Sequence, residues 1–438
     1  MDFSEKLRTL TPLLKGRLPG QLVIQYSNRC NADCPQCGMR RSNKIKRSTL
    51  AVDRVKAIID DAAEKGVKSL SFTGGEPLLF QNDLLNLVDY ATAAGIPFVR
   101  TGTNGFLFCG SEKPDFEDRV KALAERMAAT SLYTFWISLD SSVAEDHEHM
   151  RGLPGVVKGI EKAVPIFQEY GIYPSVNLGI NRAVGGLQSK PFLKDGGPEK
   201  FYADFVRGFE KFYTQALNLG FTIVNSCYPM SCGDTEEEQN CCGVETELYG
   251  AVSSSDIITF SREEKSLIFK ALADTIPLYR DKLRIFSPRA ALYNLAGKFE
   301  MNKRSHYPCR GGREFFFVES DHGMIHPCGY HNKPSEKLPD LRHRSSDKTN
   351  CELCEWECFR DPSDLMGPFA DLFTQPIHLM KHIKADPQFY KLLLQDLRYY
   401  AACTHFDGRK APNYKAMAKF RVNQSEPSVA IEPVSKEV

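Results

Sequence analysis

Between residues 21 and 227, short β-branched and aromatic runs alternate with longer stretches in which apolar residues recur every three to four positions. The runs QLVIQYS (21–27), VKSLSFT (67–73), IPFVRTG (96–102), TFWISLD (134–140), YPSVNLGI (173–180) and FTIVNSC (221–227) read as strands. Helices are expected at about 53–65, 82–94, 117–129, 156–171 and 198–219, with Gly66, Gly95, Gly171 and Gly220 where a helix would end in a left-handed cap. Five strand–helix steps leading to a sixth strand predict a parallel α/β sheet. Six units fall short of the eight that close a TIM barrel, so the expected fold is a curved, partial (β/α)6 TIM-like barrel.

After 227 the pattern changes. Residues 228–255 are rich in Gly, Ser and Glu and read as a long loop, and Ser261 with Glu264 forms a capping box that opens a helix over about 261–282. Residues 305–360 are cysteine-dense and hairpin-like: EFFFVES, a turn at Gly323, then MIHPC. This predicts a small metal-stapled unit. Helical stretches near 368–384 and 386–401 follow, then a polar tail. The expected organisation is an extension (1–20), the barrel (21–227), a cysteine-containing loop and linking helix (228–304), a cysteine-rich C-terminal domain with its helices (305–422) and a disordered tail (423–438). No internal repeat or heptad run is found.

Composition narrows the function classes. Among 438 residues, 56 Lys and Arg face 55 Asp and Glu, so no whole-molecule field favours nucleic acid or an acidic membrane. Mean hydropathy is −0.34. No apolar stretch approaches the roughly 18 residues of a spanning helix, and MDFSEKLRTL has no signal-peptide core. A cytoplasmic protein without membrane or nucleic-acid partners is expected. In a reducing compartment, 14 cysteines point to metal ligation or catalysis. They cluster at 30–37, 227–242 and 309–358, while Cys109 and Cys403 stand alone and read as small buried hydrophobes.

Cys30-Asn-Ala-Asp-Cys34-Pro-Gln-Cys37 follows directly on the first strand. Three thiolates in eight loop residues can wrap one face of a cubane cluster, which normally takes four, so one iron would stay without a protein ligand. The loop falls at the C-terminal end of a barrel strand, where such folds build their active sites. A structural zinc knot is the alternative, but the nearest downstream histidine is His147. Phe72-Thr73-Gly74-Gly75-Glu76-Pro77 ends the second strand. Its glycines would let the backbone approach a ligand, and its carboxylate could accept hydrogen bonds from an ammonium group.

These two motifs together resemble the radical S-adenosylmethionine (radical SAM) superfamily, whose signature is C-x3-C-x-aromatic-C followed by a GGEP segment. Gln36 stands at the usually aromatic position. The resemblance spans 21–227 and implies a [4Fe–4S] cluster on Cys30, Cys34 and Cys37, with SAM on the open iron. It implies reductive cleavage to a 5′-deoxyadenosyl radical that abstracts hydrogen from a substrate. It further implies SAM contacts at Gly74, Gly75, Glu76 and Pro77, and at strand ends at Asn104, Ser138, Asp140 and Asn181, with Thr103, Gly105 and Arg182 as weaker companions. His147 and His149, beside Arg151, read as supporting or surface residues, and Tyr26 as core.

Cys309, Cys328, Cys351, Cys354 and Cys358, in the order C-x18-C then C-x2-C-x3-C, supply one thiolate more than a metal centre needs. They resemble SPASM/Twitch auxiliary-cluster domains, the Twitch form best, implying one auxiliary [4Fe–4S] cluster with Cys354 or Cys358 spare; a four-cysteine zinc ribbon also fits the spacing. Cys227, Cys232, Cys241 and Cys242 could hold a second auxiliary cluster, clasp substrate or be reduced thiols. Arg40, Arg41, Lys44, Lys46 and Arg47 read as a solvated run, or as a steering patch for an acidic flavodoxin or ferredoxin donor.

The expected function is therefore a radical SAM oxidoreductase or modifying enzyme. About 20 residues precede the first strand, too few for a leader-binding domain, so a small-molecule substrate is favoured over a peptide as in peptide-modifying relatives. The rival from another class is a non-enzymatic iron–sulfur or zinc protein that carries electrons, which needs neither SAM nor Gly74-Gly75-Glu76.

Overall fold

The structure is a computed structural model. It describes residues 11–41, 46–229, 255–301, 303, 305, 307–343, 351–352 and 355–422. Each expected barrel strand is present: β1 (Gly20–Ser27), β2 (Val67–Gly74), β3 (Phe98–Thr103), β4 (Thr134–Ser138), β5 (Ser175–Gly179) and β6 (Ile223–Cys227). The intervening helices are α1 (Val52–Lys65), α2 (Gln81–Ala93), α3 (Phe116–Ala128), α4 (Ala144–Arg151), α5 (Val156–Glu169) and α6 (Gly197–Asn218). All these strands pair in parallel with their sequence neighbours.

The sheet runs further than six strands. Arg284–Ile285 adds a short β7 against β6, and Phe315–Val318 adds β8 in parallel against the opposite edge of β1. β9 (Ile325–His326) returns antiparallel on β8, giving the order β7-β6-β5-β4-β3-β2-β1-β8-β9. The cysteine-rich hairpin is thus continuous with the barrel sheet. Its two strands cover what would otherwise be the exposed edge of β1, a hazard that open sheets must manage.

Alternate residues of each strand divide the interior. Leu22, Ile24 and Tyr26 of β1 join the large core beneath α1 and α2, whereas Val23 packs with Phe315, Phe317, Trp356 and Phe359 of the C-terminal unit. Five more long helices follow among the described residues: α7 (Arg262–Thr275), which precedes β7 in the chain, then α8 (Arg289–Met301), α9 (Glu357–Thr374), α10 (Pro376–Ala385) and α11 (Pro387–Ala402). The Ser261 hydroxyl accepts from the Glu264 N–H and Glu264 accepts from the Ser261 N–H, the expected reciprocal cap. α9 starts beside the end of β6, where Glu357 accepts from the Tyr228 N–H and the Tyr228 hydroxyl donates to Asp361. The first turn of this helix therefore borders the barrel interior. No helix among the described residues is long and apolar enough to cross a membrane.

Candidate active site

The cluster loop owes its shape to what it is stitched to. The Gly75 N–H donates to the Ser27 carbonyl at 2.7 Å and the Glu76 N–H to the Arg29 carbonyl at 2.9 Å. A Cβ on Gly74 or Gly75 would run into those same two carbonyls, and Gly74 has φ +140°. The glycines are required first because two segments of this chain press together, a closer constraint than ligand approach alone. Pro77 then opens a short 3-10 turn (Pro77–Phe80) capped by Glu76.

Glu76 is buried, with Oε1 accepting from the Leu78 N–H at 2.9 Å and Oε2 from the Asn104 N–H at 2.6 Å. Burial outweighs these bonds and pushes its carboxyl up to about 7. Asn104 continues the chain of contacts: its Nδ2 donates to Asn31 Oδ1 at 2.9 Å and lies 3.7 Å from Cys30 Sγ, and its Oδ1 accepts from the Phe106 N–H. The ends of β2 and β3 thus reach the first cysteine through one carboxylate and one amide.

The end of β4 grips the loop from the other side. Asp140 is buried and holds Arg151 by two hydrogen bonds, at 2.7 and 3.1 Å, and Gln36 Nε2 by one at 2.8 Å. Burial alone would raise its carboxyl, but the Arg151 charge and hydrogen bonds prevail and hold it below the usual range. The Arg151 carbonyl accepts from the Asp33 N–H within the cluster loop. Gln36, at the position where the family places an aromatic ring, thereby serves as a tether to β4. His147 accepts from the Asp140 N–H through Nδ1, and burial drives its proton affinity down to about 3. Asn181 donates to the Asp140 and Gly179 carbonyls and accepts from the Ala183 N–H. Ser138 closes β4, half-buried. Arg182 turns away to Glu264, in a two-pronged ion pair at 2.8 and 3.0 Å.

Cys34 is buried, and Cys30 and Cys37 are half-buried beside it. Burial raises the Cys34 thiol to about 12, the Arg151 charge pulling the other way. A single tetrahedral zinc holds its sulfurs about 3.8 Å apart, from metal–sulfur bonds near 2.3 Å. Among the described residues the one set of three His, Cys, Asp or Glu ligand atoms drawn within 4.8 Å of one another is Asp371, His378 and His382, at the α9–α10 corner. The three loop sulfurs do not form so tight a set. An iron–sulfur cube fits that donor set of three thiolates.

Cys309, Cys328 and Cys351 come together: the Cys309 N–H donates to the Cys351 carbonyl at 3.0 Å, and Cys351 Sγ lies 4.0 Å from His331 Nε2. Burial pushes Cys309 up to about 12 and Cys328 to about 11. Cys354 lies outside the described residues, as do Cys232, Cys241, Cys242, Lys44 and the termini. Cys358, the second residue of α9, has its Sγ 3.7 Å from Glu357 Oε1 and lines the barrel interior with Cys227. The x2 and x3 spacings do not register that a helix begins between them.

That interior is a cavity of about 930 Å³, open side included, which sequence reasoning did not locate. Thr73, Arg100, Trp136, Asn177, Cys227 and Glu357 are among the residues that line it. Thr73 precedes Gly74, so the cavity begins directly under the cluster rim. Trp136 lies across Gly102, where any side chain would collide with the indole.

The Radical SAM superfamily model matches residues 24–186. An AdoMet-dependent heme synthase of Methanosarcina barkeri is 24% identical over 361 residues, covering 80% of this chain and 87% of the relative. Another from Nitratidesulfovibrio vulgaris is 22% identical over 310 residues, covering 70% and 73%. A PqqA peptide cyclase of Granulibacter bethesdensis is 26% identical over 164 residues, 37% of this chain and 40% of its own. Among solved structures, native anSMEcpe with bound AdoMet is 18% identical, covering 74% of this chain and 78% of its own with a TM-score of 0.43. SuiB of Streptococcus suis bound to S-adenosylmethionine is 15% identical, covering 76% and 67% with a TM-score of 0.45. With the cysteine triplet and the Gly74–Pro77 segment inside the matched span, residues 24–186 carry a radical SAM domain, the kind of domain that works with a [4Fe–4S] cluster and SAM.

Proposed function

We propose that this radical SAM enzyme is an oxidoreductase acting on a small molecule held in the barrel cavity. The observation that carries the reading is the cavity's place beneath a rim where Cys30, Glu76, Asn104 and Asp140 are already locked together. Cys30, Cys34 and Cys37 would hold the cluster, and the Gly74–Pro77 backbone and Ser138 would border SAM. Glu76, Asn104, Asp140 and Asn181 would brace that pocket, since their polar atoms are engaged with the chain itself. Bound together, cluster and SAM supply a 5′-deoxyadenosyl radical for hydrogen abstraction.

What this chain contributes is preorganisation. Arg151 keeps Asp140 ionised and aimed at Gln36, fixing one end of the cluster loop; Glu76 fixes the other. The cavity walls keep bulk water from a reactive primary radical. Cys309, Cys328 and Cys351, with Cys354 or His331, would hold an auxiliary cluster that accepts an electron from the substrate radical. Basic Lys46 and Arg47 follow the cluster loop and suit an acidic flavodoxin or ferredoxin donor. Relatives aligned over most of this chain are named for synthesis of heme, a small molecule, while the named peptide cyclase aligns over 37% of it.

Anaerobically reconstituted protein with dithionite and SAM is expected to release 5′-deoxyadenosine, measured by liquid chromatography. The Cys30→Ala, Cys34→Ala, Cys37→Ala triple variant should release none. Equal release by the triple variant, or zinc as the sole metal of the native protein, would overturn the reading.

A further inference from the structure

The cavity contains one arginine with which no carboxylate pairs among the described residues. Arg100 sits on β3 and lines the interior; its Nε is buried without a hydrogen-bond partner, and no carboxylate among the described residues lies within ion-pair distance. Burial lowers its proton affinity, the neighbouring Cys358 thiol and Tyr133 hydroxyl only partly opposing this.

The groups around it are committed elsewhere. Asn225 Nδ2 donates to Asn177 Oδ1 at 2.7 Å, and Asn177 Nδ2 donates to Cys227 Sγ at 3.3 Å. The Tyr133 hydroxyl donates to the His405 carbonyl at 3.0 Å. Glu357 accepts from the Tyr228 N–H and from the Cys358 thiol. Burial pushes both that thiol and the Glu357 carboxyl up, and Glu357, though it lines the same cavity, forms no ion pair with Arg100. From β2, Ser71 and Thr73 bring only hydroxyls.

An isolated buried cation is costly, a cost natural chains accept where a ligand completes the pair. We propose that Arg100 is the anchor for a carboxylate of the substrate, an inference that rests on the radical SAM reading above and names the class of molecule it acts on. The planar guanidinium matches a carboxylate in two-pronged fashion. A doubly charged phosphate would call for a second cation, and Arg100 is the one Lys or Arg among the residues lining the cavity. Arg100 lies three residues before Thr103, the last residue of β3, which at about 3.3 Å per residue sets it roughly 10 Å below the rim. A carboxylate seated there would leave the remainder of a small acid pointing up toward the cluster loop, and the carbon that loses hydrogen would lie several bonds from the anchored end.

The test uses the reconstituted holoenzyme with SAM and two near-isosteric probes, propionate and propionamide, with binding read by saturation-transfer NMR. Propionate should bind saturably and propionamide should not; inorganic phosphate should not compete. Arg100→Gln should weaken propionate at least about tenfold, the scale of a lost charge-assisted pair, while Arg100→Lys recovers part of it. Arg100→Met should raise the melting temperature of the ligand-free protein, since it removes an unmatched charge. No propionate binding by the wild type, equal binding of the amide, competition by phosphate, or undiminished binding in a folded Arg100→Gln would each overturn the assignment. Where Arg100→Gln does not fold, the wild-type acid-against-amide comparison decides. Wild-type 5′-deoxyadenosine release is assayed in parallel: its absence condemns the radical SAM reading, and its presence without propionate binding condemns only the anchor.

Discussion

The two cysteine sets are built on opposite plans. Cys30, Cys34 and Cys37 lie within one loop, and that loop is zipped along its length to strand ends: Ser27 and Arg29 to Gly75 and Glu76, Asn31 to Asn104, Asp33 to Arg151, Gln36 to Asp140. Cys309, Cys328 and Cys351 come from three separated segments and meet through a backbone bridge between Cys309 and Cys351, next to a hairpin that extends the barrel sheet. One site is preorganised by a rigid scaffold before any metal arrives. The other depends far more on the metal to close it, because binding free energy there is also folding free energy.

The contrast can be broken most severely at Gly75. Gly75→Ala places a methyl group against the Arg29 carbonyl, a backbone clash that the buried loop cannot relax. We expect about 4 kcal/mol or more of destabilisation and loss of the catalytic cluster, read as a fall in unfolding midpoint and in bound iron. An unchanged midpoint would mean that the zipper does not hold the loop.

Next in size is the division of the C-terminal cysteines. Cys309→Ser should remove about one cluster's worth of iron and sulfide, whereas Cys358→Ser should leave the metal content unchanged, as its sulfur faces the cavity. Equal iron loss in both variants would return Cys358 to the ligand set.

The smallest expected effect separates the rim from its metal. His147 is buried and holds a proton only near pH 3, against 6.5 for the free group. Below pH 6.5 the unfolded chain takes up a proton that the folded chain refuses, so stability falls with pH toward 3, by up to about 1.4 kcal/mol per unit. His147→Asn keeps an acceptor for the Asp140 N–H and lacks the titration. Its urea midpoint should fall less between about pH 6.5 and 5; the same slope as wild type would show that another group governs the acid side.

How much of this was legible depended on whether the signal was local. The six barrel strands and their helices announced themselves through short-range periodicity, and the cysteine loop and Gly74–Pro77 through contiguous residues of unmistakable chemistry. α4, with the polar sequence AEDHEHMR, has almost no apolar face to detect. α8 is buried nearly all round and so lacks the amphipathic pattern that marks a surface helix. β7 is two residues long, and the parallel pairing of β8 with β1 joins positions nearly 300 residues apart. The bracing roles of Gln36, Arg151 and Glu76 and the isolation of Arg100 are properties of three-dimensional company. Arg100 could have been flagged only as a charged residue inside a buried strand run.

The most direct test of the central claim is electron paramagnetic resonance of dithionite-reduced protein carrying Cys309→Ser, so that the loop cluster dominates the spectrum, recorded before and after SAM is added. A [4Fe–4S]+ signal is expected whose g-values shift on SAM binding, as they must when a ligand takes the iron left open by Cys30, Cys34 and Cys37. A spectrum indifferent to SAM would contradict it.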